Sequence, residues 1–385
     1  TSGVLLSKLL SSAGYSQESR DKAMSFFLHC ITPFLGPLRG FEYANDWTSF
    51  MTDDGTPIEL GWGWTTEDAP PKIQYSIEPY DSHNCLPKVS YSGQSSRSFY
   101  QEVIKDLDGT DLTWSDHFSS TFLNQRPELP SQKQKNSIFY AFDIQGDGAV
   151  AKTYFILRSG SGRPMYSDMW AAISTAVLSA PYCLNRSPPS LRVLQGFFKN
   201  NTTFVDIEML AIDLVQPEHS RIKIYFRLRN TCFGSVKKAM TLDGRLTDET
   251  TIKGLGDLER LWKLLFHVDS NTPLPAVDHR TAGILYYAEF RLGSQLPKVK
   301  LYIPVRHYAA SDNAVIEALE NFWQHQQGFG EKICKYRQVL KETFEQELSQ
   351  SSGIQTYLGC SINSDGSLRL ISYINPQVEK MAFPM

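Results

Sequence analysis

Three pairs of residues stand out for the chemistry they could support: Lys152-x-Tyr154, Lys223-x-Tyr225 and Lys300-x-Tyr302. Residues i and i+2 of a β-strand share a face, so each pair sets an ammonium beside an aromatic ring. The second pair lies in "SRIKIYFRLR" (220–229), which places Arg221, Lys223, Arg227 and Arg229 on one side and apolar residues on the other. Gathered from three strands, Lys152, Arg221, Lys223 and Lys300 would repel one another unless they held a polyanion. Diphosphate suits them, because Arg supplies forked donors and Lys point charges. Tyr154, Tyr225 and Tyr302, with Tyr373 in the corresponding place further on, offer ring faces that stabilise a cation by roughly 1–2 kcal/mol each when water is excluded. Together these groups suit an allylic diphosphate: the basic residues take the leaving group and the tyrosines shield the carbocation. Solvated lysines and ordinary tyrosine packing are the plainer alternative, which the repeated register weighs against.

Glu59, in "TPIELGWGW", is an acid in an apolar, Trp-rich strand. Burying an acid is costly unless it is paired, so it is either exposed or kept for function. A carboxylate there can accept an indole N–H or an acidic O–H, making the ring more nucleophilic as charge develops. Asp53 and Asp54 in "MTDDGTP" read as turn residues, since no aspartate-rich DDxxD follows and nothing requires Mg²⁺. The eight histidines show no metal-ligand spacing, and His307 in "VRHY" receives no role. Gly254 and Gly256 in "IKGLGDLERLW" lack the strand and GK[ST] of a phosphate loop and read as a break between helices.

The elements that must position these groups come in order. Period-two alternation marks five strand pairs: "PIELGWGW" with "KIQYSIEP", "SIFYAFDI" with "VAKTYFIL", "FVDIEMLAIDL" with "RIKIYFRL", "GILYYAEFRL" with "KVKLYIPV", and "IQTYLGCSIN" with "SLRLISYIN". Linkers such as "QGDGA" and "SDG" carry turn residues that tolerate positive φ. Stretches such as "SDMWAAISTAVLSA", "GDLERLWKLLF" and "NAVIEALENFW" have three-and-four apolar spacing and should each lay one face on a sheet. Stepping outward from the Lys-x-Tyr pairs reaches Gln74-x-Ser76 and Ile371-x-Tyr373, giving five helix–helix–strand–strand units of about 75 residues and so one architecture for residues 1–385 rather than several domains. The expected fold is α+β: a ten-stranded antiparallel barrel surrounded by helices. Apolar strand faces meet the helices, and the Lys/Tyr face lines a lumen wide enough to hold a ligand.

The 385 residues carry a net charge of −3 with no block of like charge, which excludes a nucleic-acid or membrane-surface partner. Six scattered cysteines without CxxC spacing fit neither structural zinc nor a disulfide framework and suggest a reducing, cytoplasmic setting. No apolar run reaches the roughly 18 residues of a membrane span. The start "TSGVLLSKLLSSAGYS" reads as a short amphipathic helix rather than a signal peptide, and the missing initiator Met suggests a trimmed start.

From "FFLHCITPFLGP" and "SFMTDDGTPIELGW" through "AKTY", "SRIKIYF" and "KVKLYIPVRHY" to "SYINP", the chain resembles fungal aromatic prenyltransferases of the dimethylallyltryptophan synthase type. The resemblance implies the ABBA barrel of five ααββ units and a metal-independent transfer with no cofactor. The expected partners are small molecules, a prenyl diphosphate co-substrate and an aromatic acceptor, and a homodimer is compatible. It assigns Glu59 to the indole nitrogen, Lys152, Arg221, Lys223 and Lys300 to diphosphate, and Tyr154, Tyr225, Tyr302 and Tyr373 to the cation shield. An arginine of the tryptophan-using enzymes is Gln74 here, with Lys72 as a substitute, and a later one is replaced by Asn363. Lys300 stands where those enzymes often carry Gln and restores one charge.

The arginine that clamps the carboxylate of tryptophan matches Glu208, and a proposed ring base matches Phe139. A carboxylate facing a carboxylate is repelled, so the expected acceptor is an indole larger than free tryptophan, such as a tryptophan-containing cyclic dipeptide or an alkaloid intermediate of secondary metabolism. Phe50 and Met51 should wall its pocket. A phenolic, polyketide or quinone acceptor is the nearest alternative, and a non-enzymatic binding barrel is the alternative of another class.

Overall fold

The computed structural model describes residues 2–36, 49–66, 68–80, 94–124, 138–146, 148–157, 166–183, 188–201, 205–344, 348–350 and 352–377. Ten strands form where the alternation predicts them: β1 (Ile58–Trp64), β2 (Lys72–Ile77), β3 (Ile138–Ile144), β4 (Ala149–Ile156), β5 (Val205–Asp213), β6 (Ile222–Leu228), β7 (Ile284–Phe290), β8 (Lys298–Ile303), β9 (Gln355–Ile362) and β10 (Leu368–Ile374). Each pairs antiparallel with its sequence neighbours, and β1 pairs with β10, so the sheet closes on itself. Closure removes the exposed edges an open sheet would present.

The two faces of each strand separate as the pattern requires. Ile222, Ile224 and Phe226 of β6 are fully buried on the outer face. There Phe226 meets Phe197 and Phe198 of the helix Pro189–Asn200, with ring centroids 5.7 and 5.2 Å away. Trp64 of β1 likewise packs against Trp323 and Tyr336 of the outer helices Asp312–Trp323 and Gln327–Phe344. The large core therefore lies between helices and barrel. A second, smaller cluster, built on Tyr225, Tyr287, Tyr302 and Tyr373, fills the middle of the lumen.

One helical expectation changes. Gly254 and Gly256 do not break the chain but lie inside a continuous helix, Glu249–Phe266, capped by Asp248, whose side chain accepts from Thr251 N. A Cβ at Gly254 would come within 2.6 Å of Ile362 Cγ2, so this glycine lets the helix seat closely on β9. Gly359 performs a similar service inside the barrel, where a Cβ would stand 3.1 Å from Lys300 Nζ.

Candidate active site

Strand register determines what meets inside the lumen. Lys152 of β4 lies beside Asp213 of β5 and opposite Ala141 of β3, while Lys223 of β6 lies opposite Ala211 of β5 and beside Glu289 of β7. Lys300 of β8 faces Tyr287 on one side and Ser361 on the other. A small polar cavity of about 80 Å³ is lined by Gln74, Lys152, Arg221, Lys223, Lys300 and Arg369. Four of the expected diphosphate ligands and Gln74 are thus brought together. Lys72 is not: it is exposed at the start of β2.

The cations do not simply repel one another, as the sequence reading had it. Lys152 bonds to Asp143, and Lys223 to Asp213. Arg221 reaches Asp213 through Nε at 2.6 Å and Glu289 through Nη1 at 3.2 Å. Burial opposes ionisation of Asp213, but Lys223 and Arg221 outweigh it and hold the carboxyl well below its usual range. These acids were missed because the register that sets Asp143 and Asp213 beside cations of the next strand, and Glu289 on β7 beside Arg221, exists only in the folded barrel.

Lys300 differs from Lys152, Arg221 and Lys223 in having no carboxylate within salt-bridge distance among the described residues. Its Nζ lies 4.7 Å from the Tyr302 ring centre and 3.5 Å from the Tyr373 hydroxyl. Burial, with Arg369 and Lys152 nearby, pushes its ammonium down to about 7. Arg369 is a second group the sequence reading overlooked. The arginine thought lost at Asn363 has a counterpart six residues on, on β10, where its buried Nε has no hydrogen-bond partner. Asn363 itself lies at the β9–β10 turn, bonding Thr65 O and Ser367 Oγ. Five cations thus face three carboxylates, leaving the cavity receptive to an anion.

Next along the lumen comes the aromatic belt. Ring centroids run Tyr154–Tyr225 5.9 Å, Tyr225–Tyr302 6.0 Å and Tyr302–Tyr373 5.5 Å, and Tyr287 joins at 5.0 Å from Tyr225. All four expected tyrosines line both the polar cavity and the larger one beyond it, so they form the partition between the two. Lys300, stacked near three of these rings, shows that the belt accommodates a cation.

The larger cavity holds about 350 Å³ and is mostly apolar, as small-molecule pockets are. Glu59, Phe50, Met51, Phe139 and Glu208 all line it. Glu59 points inward because it alternates with Leu60, Trp62 and Trp64, which face the helices. It accepts a hydrogen bond from the Thr356 hydroxyl, and burial pushes its carboxyl up to about 7. At neutral pH it can therefore both take and hold a proton.

Glu208 is not the bare charge that the sequence reading made it. Ile207 pairs with Phe226 and Met209 with Tyr225, leaving Glu208 as the extra residue of a β-bulge, which re-aims a side chain. Nε and Nη2 of the buried Arg227 grip its two carboxylate oxygens. Arg229, the last cation of the stripe, pairs with Asp206 at 3.2 Å. The stripe on β6 thus serves two ends: Arg221 and Lys223 face the anion cavity, while Arg227 and Arg229 neutralise acids of the larger one.

Asp53 is likewise more than a turn residue. Its carboxylate lies 3.0 Å from Arg306 Nε and 3.5 Å from Arg280 Nη2, while Asp54 does cap the turn by accepting from Thr56 N. The fold also gathers His279 and His307 around Asp53, with ligand atoms all within 4.8 Å, which sequence spacing did not show. The Thr281 hydroxyl bonds both imidazoles at 2.8 Å, and two guanidiniums already hold the carboxylate, an environment that opposes a dication.

The family profile described as tryptophan dimethylallyltransferase matches residues 1–339. A 4-O-dimethylallyl-L-tyrosine synthase of Claviceps purpurea is 30% identical over 97% of this chain and 86% of its own. A 7-dimethylallyltryptophan synthase of Aspergillus fumigatus is 29% identical over 98% and 84%. The crystal structure of NotF in complex with brevianamide F and DMSPP superposes with a TM-score of 0.76 at 22% identity, covering 98% of this chain and 93% of that one, and so shares the fold. With an anion cavity, an aromatic belt and a buried acid in one closed barrel, the chain belongs to the tryptophan dimethylallyltransferase family and is an aromatic prenyltransferase.

Proposed function

We propose that the enzyme moves a dimethylallyl group from dimethylallyl diphosphate to an indole-bearing acceptor without a metal ion. The allylic C–O bond breaks and its electron pair leaves with diphosphate, which Lys152, Arg221, Lys223, Lys300 and Arg369 receive. The tyrosine belt holds the allyl cation away from water. An electron-rich ring in the larger cavity supplies the electron pair for the new bond, and Glu59 accepts the acceptor's N–H proton or its hydrogen bond. The observation that carries this reading is the order of parts along one lumen: cations, tyrosines, then a carboxylate in an apolar pocket.

The case against free tryptophan rested on Glu208, and Arg227 removes it, because the pair is net neutral. A phenolic acceptor is the second reading. Glu59 can take a phenol proton equally well, and one relative is named for a dimethylallyl group on the oxygen of tyrosine.

The test is mass spectrometry after incubation with dimethylallyl diphosphate, EDTA and a panel of tryptophan, tryptophan-containing cyclic dipeptides, tyrosine and polycyclic phenols. A gain of one C5H8 unit on an indole with EDTA present is the expected result. Gain on phenols alone would move the enzyme to the second reading, and turnover only after Mg²⁺ is restored would end the metal-free one.

A further inference from the structure

Among the described residues Glu59 is held by one hydrogen bond, from the Thr356 hydroxyl to its Oε1. Regular alternation along β9 would turn Thr356 away from the lumen. Leu358 packs in the outer core and Gln355 meets Tyr336 of an outer helix, so two residues separate them where an unbroken strand has one. The register gives the cause: Leu358 pairs with Ser372 and Gln355 with Ile374, so Thr356 and Tyr357 together oppose Tyr373. This is a β-bulge, a device that re-aims a side chain and is common beside active sites. Tyr357 enters the larger cavity, while Thr356, fully buried, reaches Glu59 of β1 across the intervening strand β10.

The bulge is tied down from outside the barrel. Asp312, buried in the first turn of the helix Asp312–Trp323, accepts from the backbone N–H of Ile354 at 3.1 Å and of Gln355 at 2.6 Å. The Gln355 side chain donates back to Asp312 O at 2.7 Å, and its Oε1 accepts from the Tyr336 hydroxyl at 3.0 Å. A satisfied polar network of this kind rigidifies its members, here the residue immediately before Thr356. Thr356 itself has two acceptors in reach, Glu59 Oε1 and, at 3.3 Å, Tyr373 O. A hydroxyl both donates and accepts. It can donate to the ionised Glu59 and, once Glu59 holds a proton, turn to Tyr373 O while accepting from the carboxyl. Glu59 Oε2 has no partner among the described residues and stays open to the acceptor cavity.

We propose that Thr356 is a positioning residue for Glu59, aimed by the β9 bulge that Asp312 fastens, and that its hydroxyl keeps the carboxyl in one place with and without the proton. This rests on the proton-accepting role of Glu59 proposed above. The donated bond favours the ionised form and so offsets part of the desolvation that pushes the carboxyl up to about 7. Arg306, on the short helix Val305–Tyr308, also favours the anion, and Asp53, in the loop before β1, opposes it. Ser76, opposite Glu59 on β2, brings no charge. The hydroxyls of Tyr357 on β9 and Tyr373 on β10 face the same cavity, and burial raises that of Tyr373 well above its usual value.

The experiment follows kcat against pH at saturating donor, with the best acceptor of the panel above. In Thr356→Val the rise in kcat should move upward by about one pH unit or more, the measure of a lost hydrogen bond to a charged group. Activity lost near pH 7 should then return at higher pH. Thr356→Ser keeps the hydroxyl and should keep the rise at its wild-type position. If the valine variant loses kcat equally at every pH, or if serine does no better than valine, Thr356 merely packs β9 and the proposal is wrong. Should the valine variant not fold, Thr356→Ala takes its place in the same comparison. Infrared titration of the Glu59 carboxyl decides the matter without turnover. Subtracting Glu59→Gln spectra sets aside Asp312, whose carboxyl burial also raises, to about 6. A Glu59 titration unmoved by loss of the Thr356 hydroxyl overturns the proposal. A moved titration, with a kcat profile that Glu59→Gln leaves as it was, would uphold the bond but overturn the catalytic role it serves.

Discussion

The two ends of the lumen handle buried charge in opposite ways. At the polar end, cations outnumber carboxylates and are held apart by Asp143, Asp213 and Glu289, so the site is formed before any anion arrives. At the other end Glu208, Asp206 and Asp53 are paired with arginines, whereas Glu59, with no ion-pair partner among the described residues, is kept where burial makes its charge expensive, so it sits near its own point of protonation. Preorganised opposite charges suit a leaving group that is always anionic. A poised carboxyl suits a proton that moves only as the reaction proceeds.

The sharpest way to break that contrast is Glu59→Gln. The isostere keeps the size and can still accept from Thr356, but it cannot take a proton. We expect kcat to fall by about 10²–10⁴-fold, the range for a positioned acid–base group, while the donor KM stays near the wild-type value. Glu59 titrates near 7, protonated below and able to accept above, so wild-type kcat should rise through that pH and the rise should vanish in the variant. A variant with unchanged kcat and an unchanged pH profile would remove Glu59 from the chemistry.

The second comparison lies within the polar end. Lys223 is tied to the buried Asp213, whereas Lys300 has tyrosines and, among the described residues, no carboxylate within salt-bridge distance. Both Lys223→Met and Lys300→Met should raise the donor KM by about tenfold or more, since each loses a charged contact to diphosphate. Their stabilities should separate. Lys223→Met leaves Asp213 with Arg221 alone and should cost about 1–3 kcal/mol. Lys300→Met removes a buried charge with no salt-bridge partner and should leave the melting temperature unchanged or higher. Because Lys300 titrates near 7 from below its usual value, it is charged below that pH and neutral above. The donor KM should therefore rise as pH increases through 7 in the wild type but not in Lys300→Met. Equal destabilisation by the two variants would mean that the carboxylate pairing does not distinguish them.

Alternation along each strand is a local property, which is why all ten strands and the inward Lys, Tyr and Glu59 positions could be read from the chain. What could not be read depends on register and closure. Asp143 and Asp213 become partners of lysines only once neighbouring strands align, and Arg369 enters the anion cavity only when β10 closes against β1. Glu208 misled because a bulge leaves strand alternation almost intact while adding a residue on one side. Asp53 misled because its partners, Arg280 in a loop and Arg306 in the short helix Val305–Tyr308, lie more than two hundred residues away, with no periodicity to link them. The Gly254 expectation failed for a tertiary reason as well: close packing against Ile362 outweighs the weak helix propensity of glycine.

The mildest test concerns the belt between the two ends. Tyr302 is the ring nearest Lys300 and has ring contacts with Tyr225, Tyr287 and Tyr373. In Tyr302→Leu the apolar volume is largely kept, but the ring face and its hydroxyl contact with Tyr225 are lost. A cation–π contribution of roughly 1–2 kcal/mol corresponds to a change of about five- to thirtyfold, which should appear as slower ionisation of the donor. The gap beside the cation also admits water, so dimethylallyl alcohol should rise as a share of products relative to the prenylated acceptor. Glu59→Gln should act differently, slowing transfer without opening the belt. Quantifying alcohol and prenylated product together in both variants separates the two functions. If Tyr302→Leu slows the reaction with no increase in alcohol, the ring stabilises the cation without guarding it, and exclusion of water belongs to the walls of the larger cavity.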